Sequence, residues 1–128
     1  RCGFANSRRR LKMNNEQFEN LREEFLSKEA QLLEFKGREY GADFDRLLNF
    51  KEIAALTNMK SVDVCLLYML KHIQSLVLAI KSRNYQSKWY WSNNGNEGLK
   101  QRICDIRNYA LLLAACIEEE IRKEEHNG

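Results

Sequence analysis

Residues 61–83, SVDVCLLYMLKHIQSLVLAIKSR, decide the fold class. Leu66, Met69, Ile73, Leu76 and Ile80 follow one another at spacings of 3-4-3-4, the period of an amphipathic helix. Leu67, Leu70 and Val77 widen that apolar face, which predicts a central helix. Ser61 suits an N-cap, and Asp63 falls in the first turn, where the helix dipole favours an acid. A second stripe, Tyr68, His72, Ser75 and Ala79, runs beside the seam, with Lys71 next to it.

The same period extends to both sides. Ile103, Ile106, Ala110, Leu113, Ile117 and Ile121 predict an inward face for a helix over residues 99–123, and residues 126–128 are expected to fray. Arg102, Asp105 and Tyr109 flank that face, with Asn108 alongside. Residues 84–98 read as one long loop containing Trp89-Tyr90-Trp91. Upstream, Leu47, Leu48, Phe50, Ile53 and Ala54 predict a short helix over 45–56. Phe18, Leu21, Phe25, Lys28, Leu32 and Phe35 give a narrow stripe on a first helix, which Gly37 and Gly41 are expected to end. Four helices in one domain predict an all-α four-helix bundle with near-antiparallel packing.

Composition agrees. The 128 residues include no proline and six glycines, too few turn formers for an all-β fold. The net charge of +3 is carried by the first twelve residues, which hold Arg1, Arg8, Arg9, Arg10 and Lys12 and no acid. Without those five, sixteen basic residues face eighteen acidic ones, a net charge of −2, which argues against a nucleic-acid groove in the folded part. The arginine run just before Met13 reads as the in-frame translation of a purine-rich ribosome-binding site. Residues 1–12 are therefore expected to be a non-native or disordered tail and 13–128 the domain; the competing reading is a basic nucleic-acid-binding arm. The longest apolar run, 110–117, is far below the ~20 residues that span a bilayer. A cytoplasmic protein with no membrane partner is the expectation.

Chemistry-bearing motifs are few. Cys2, Cys65, Cys104 and Cys116 form no Cys-x-x-Cys pair, and the last three sit in apolar helical stretches, where thiols act as small hydrophobes. There is no Gly-rich phosphate loop, no nucleophile motif and no His-Glu-x-x-His. Glu23, Glu24, Glu52 and Asp105 are the candidate metal carboxylates, but a single inward acid does not make a two-metal site. The two polar stripes can meet if their helices pack together. Lys71, His72 and Arg102 would then face an anion, or Asp105 would orient His72 or Arg102 in a purely structural network. Trp89 and Trp91 read equally as a stacking lid over a base or as a hydrophobic plug or oligomer contact.

Several segments resemble a known group. Tyr68-Met69-Leu70-Lys71-His72-Ile73-Gln74-Ser75-Leu76 is similar to a Tyr-x-x-x-Lys-His-x-x-Ser-Ile segment, with one residue fewer between Tyr68 and Lys71. Residues 96–109, with Arg102, Ile103, Asp105, Asn108 and Tyr109, resemble the Glu-x-Ile-x-x-Arg-Ile-x-Asp-x-x-Asn-Tyr segment that follows it. Arg38-Glu39-Tyr40-Gly41 and Asn49-Phe50-x-x-Ile53-Ala54 resemble Lys-x-x-Asp-Tyr-Gly and Asn-Phe-x-x-Ile-Ala. Together they resemble small helical phage and prophage proteins of the nucleotide-modification-associated domain group, distantly similar to MazG-like all-α nucleoside-triphosphate pyrophosphohydrolases. The resemblance implies a MazG-like fold and a nucleotide pocket. It does not carry the hydrolysis, because Arg102 stands where the metal-binding Glu-x-x-Asp pair would begin.

The expected function is a phage-encoded module that binds a phosphorylated nucleotide-like ligand and sequesters a host nucleotide signal, an anti-defence role in the host cytoplasm. Its ligand-binding residues would be Lys71, His72, Ser75, Arg102, Asp105, Asn108, Tyr109, Trp89 and Trp91, with no catalytic residue and no cofactor, in a homo-oligomer. The alternatives are a magnesium-dependent nucleotide pyrophosphohydrolase and an interaction protein without a small ligand.

Overall fold

The computed structural model describes residues 11–40 and 45–128, so most of the basic tail lies outside the described residues. The fold is all-α, with four helices among the described residues: α1 (Asn15–Tyr40), α2 (Leu48–Thr57), α3 (Ser61–Ser82) and α4 (Leu99–Asn127). A 3-10 turn (Gln86–Lys88) and a two-stranded hairpin, β1 (Ser92–Asn93) and β2 (Asn96–Glu97), occupy the connection between α3 and α4.

Local chemistry sets the helix ends. Asn14 Oδ1 accepts the Gln17 amide at 2.8 Å and Gln17 Oε1 accepts the Asn14 amide at 3.0 Å, a reciprocal cap that starts α1. The helix continues through Gly37, the first of its two expected stops, to Tyr40; Gly41, the second, lies outside the described residues. A helical glycine costs only about 1 kcal/mol, too little to end a long helix alone. Asp45 accepts the Leu47 amide at 2.9 Å ahead of α2, and Asn58, with φ 56°, closes that helix in the left-handed conformation. Lys60, not Ser61, takes the cap position of α3, and Asp63 reaches back to its amide at 3.4 Å. At the far end α4 stays helical to Asn127, beyond the expected fraying point.

α3 and α4 form the central antiparallel pair. Arg102 Nη1 donates to Ser75 Oγ, the His72 and Tyr109 rings lie 5.0 Å apart, and Cys65 Sγ donates to the Tyr109 carbonyl at 3.7 Å. Rising numbers on one helix thus meet falling numbers on the other. α2 closes the end near the α3 N-terminus, where Leu47, Phe50, Ala54, Val64, Cys65 and Cys116 form the main core. Phe50 is buried against Tyr68 and Tyr109, with ring centroids 5.8 and 6.4 Å away. α1 lies on α4 at the opposite end, with Phe25 buried 4.9 Å from the Trp91 ring.

The faces are rotated from those expected. The polar stripe Tyr68, His72 and Ser75 is the side of α3 that meets α4, and it meets Arg102 and Tyr109. The two ends of the predicted α3 seam are exposed, Leu66 at 39% and Ile80 at 43%, as is the flanking Leu70 at 46%, while Met69, Ile73 and Leu76 between them are partly buried. On α4, Ile117 and Ile121 are likewise exposed rather than inward. Periodicity groups residues on one face but carries no information about which neighbour covers it. The expected cysteine chemistry holds for Cys65, Cys104 and Cys116, which are buried free thiols.

Candidate functional site

A cleft of about 340 Å³ lies where the C-terminal half of α3, the start of α4 and the connection between them converge. Ser75 comes from α3, Arg102 from the first turns of α4, and Lys88, Tyr90 and Glu97 from the connection, with Leu78, Ala79 and Leu99 as its apolar lining. Arg83, in the left-handed conformation at φ 58°, ends α3 and turns the chain into the 3-10 segment that carries Lys88.

The hairpin then sets Tyr90 and Glu97. Asn94 and Gly95 both have positive φ, 51° and 82°, which is the two-residue turn that an Asn-Gly pair favours. Gly98 follows. Its amide donates to the Trp91 carbonyl at 2.8 Å, and a Cβ there would stand 2.0 Å from the Tyr90 carbonyl oxygen. Only glycine allows the loop to lie this close to the α4 N-terminus.

The cleft has an electropositive rim. Among the described residues, Arg102 has Ser75 Oγ as its hydrogen-bond partner, and Lys88 Nζ has Ser82 Oγ, at 3.1 Å. Both cations thus meet neutral hydroxyls, and among the described residues neither is in an ion pair. Gly98 is the N-cap of α4 and no side chain caps it, so the first-turn amides leave positive potential at that helix end. Glu97 is the one carboxylate among the residues lining the cleft.

The structure divides the expected site. Ser75 and Arg102 come together in this cleft, whereas His72 and Tyr109 stack a turn deeper in the helix pair. Asp105 accepts from Gln101 Nε2 at 2.9 Å on its own helix, and Asn108 Nδ2 contacts Cys104 Sγ at 3.9 Å. Lys71 is exposed and does not line the cleft. Among the described residues no group of three His, Cys, Asp or Glu side chains is placed to hold a metal.

The tryptophans lie on the α1 side. Trp91 Nε1 donates to Glu24 Oε2 at 2.8 Å, and Lys100 Nζ reaches the same oxygen at 2.8 Å. The Lys100 ammonium, with help from the indole, holds the Glu24 carboxyl below its usual pKa. Lys28 sits 5.6 Å above the Trp91 ring and Lys100 lies 5.2 Å from that of Trp89. Trp91 is a plug between α1 and the connection, while Trp89 stays 43% accessible.

Sequence reasoning missed Lys88, Tyr90 and Glu97 because they sit in a non-periodic segment. The Asn94-Gly95 pair was the available signal for a hairpin there. Compared with known families, curated proteins and solved structures, the chain matches none.

Proposed function

We propose that the chain is a binding module for a phosphorylated, nucleotide-like ligand held in the Arg102–Lys88 cleft. The observation that carries this reading is the pair of cations partnered, among the described residues, by serine hydroxyls alone. A phosphate supplies what that pair lacks, and an arginine fork suits its geometry. Tyr90 offers an aromatic surface for a base within the same cleft. The resemblance of residues 68–76 and 96–109 to nucleotide-associated phage proteins with a MazG-like fold supports the same ligand class. On that reading the module holds a host nucleotide signal without consuming it. Hydrolysis would call for clustered carboxylates, and Asp105 is engaged by Gln101.

A thermal-shift and calorimetry screen against nucleotides and cyclic or ADP-ribose-type signals, with and without magnesium, tests the reading. A ligand at 100 times its Kd adds about 2.7 kcal/mol of stability. Arg102→Ala and Lys88→Ala should each abolish that shift while the far-ultraviolet circular dichroism stays helical. Binding that survives both substitutions refutes this site, and product formation replaces the binder with an enzyme.

A further inference from the structure

The α3 helix carries more apolar surface than its neighbours cover. It is long and apolar enough by composition to cross a membrane, yet only 11% of its most apolar window is buried. Leu67 and Leu78 are exposed singly, at 50% and 62%, and the rest of the uncovered surface is an ordered stripe. Leu66, Leu70, Ile73, Val77 and Ile80 repeat at 4-3-4-3, the spacing of a helix-packing seam. Leu66, Leu70, Val77 and Ile80 are each 39–46% accessible.

α4 carries a matching stripe. Ala110 and Ile117 stand one residue beyond Tyr109 and Cys116, as Leu66 and Ile73 stand one beyond Cys65 and His72. One residue is a rotation of about 100°. Because the two helices run antiparallel, the same rotation along each chain turns both stripes to one side of the pair. Ile117 and Ile121, 46% and 47% accessible, extend that side along α4. A 22-residue helix is about 33 Å long and roughly 10 Å wide, so α3 offers ~330 Å² per copy, and the half of α4 that α1 leaves uncovered adds roughly half as much again. Doubled, that is about 1,000 Å², the size at which a specific interface begins.

We infer that this side of the α3–α4 pair is the contact face of a two-fold symmetric dimer of this chain, with α3 packing antiparallel on the partner's α3 about a point near Ile73. The charges at the edge of the stripe favour a second copy as occupant. Asp63 and Lys81 are eighteen residues, five turns, apart and so share one flank of α3 at its opposite ends. An antiparallel two-fold sets each Asp63 against the partner's Lys81 and places two complementary pairs on the rim. Both side chains are exposed, and among the described residues neither is in an ion pair. Lipid would ask for an apolar girdle. Here Ser75 and His72 occupy one face, and Lys71 and Gln74 lie outside the stripe.

Sedimentation equilibrium of the full chain tests the inference. The parent should be a dimer at micromolar concentration. The Leu70→Glu/Val77→Glu variant, changed at exposed positions, should be monomeric with its helical circular dichroism intact. Should that variant fail to fold, the surface change Lys81→Glu decides. It should weaken dimerisation about tenfold, and Asp63→Lys/Lys81→Glu should restore it. A monomeric parent overturns the inference. So does a dimer indifferent to folded Leu70→Glu/Val77→Glu, or a Lys81→Glu loss that the double exchange does not rescue. Partition of a monomeric parent into phosphatidylcholine vesicles would assign the stripe to lipid and overturn it too.

Discussion

Replacing Gly98 with alanine isolates the close approach of α4 to Tyr90 beside the cleft. The backbone there has φ −87° and ψ 179°, an extended conformation that alanine adopts freely, so no conformational penalty enters. The new Cβ would lie 2.0 Å from the Tyr90 carbonyl oxygen, 2.7 Å from its carbon and 2.8 Å from a ring atom. Ordinary contact needs more than 3 Å, so the Tyr90 backbone must withdraw by at least 1 Å, and the 2.8 Å bond from the Gly98 amide to the Trp91 carbonyl goes with it. Overpacking of this kind costs about 1–3 kcal/mol and the lost hydrogen bond about 1 more. Gly98→Ala should therefore destabilise the fold by about 2–4 kcal/mol. Urea unfolding followed by circular dichroism measures this, and tryptophan emission should shift red as Trp91 loosens from Glu24 and Phe25. Gly95→Ala is the control. It has φ +82° with nothing within 4 Å, so it should cost only the left-handed penalty, about 1 kcal/mol, and leave Trp91 undisturbed. The reasoning is refuted if Gly98→Ala unfolds within 0.5 kcal/mol of the parent with unchanged emission, a margin typical of neutral surface changes.

Phe50→Ala should cost about 3–5 kcal/mol, because a 2% accessible ring between Tyr68 and Tyr109 leaves a cavity; a shift in the urea midpoint without a change of slope is the check. Glu24→Gln should flatten the acid limb of the stability profile. The Lys100 bond lowers the folded-state pKa of Glu24, so its contribution is present above the unfolded value and lost as pH falls through the folded one; thermal melts across pH 3–6 should show parent and variant converging at the acid end. Cys65 and Cys104 should resist a disulfide reagent at pH 8 until urea unfolds the chain. Burial and the adjacent Cys116 thiol push Cys65 up to about 12, and burial with the Glu29 and Asp105 carboxylates pushes Cys104 up to about 11. Modification of either thiol in the native protein, read by mass spectrometry, would contradict that packing.

The sequence by itself determined the helical class and the starts of α2, α3 and α4 to within three residues, because an apolar period of 3.6 and the caps that begin a helix are local. It also placed Ser75 and Arg102 on stripes able to meet. Tertiary structure alone decided which stripes point at each other. Tyr68, His72 and Ser75 turn toward α4, where Arg102 and Tyr109 engage them, and the more apolar Leu66–Ile80 row is left outside. A helix wheel assigns residues to faces, but the partner of a face is set by rigid-body packing among four helices and a folded connection. The rest of the cleft was illegible for a related reason. Lys88, Tyr90 and Glu97 have no periodicity, and their positions follow from a left-handed Arg83, an Asn-Gly turn and the close approach at Gly98, each of which acts only once α3 and α4 are side by side.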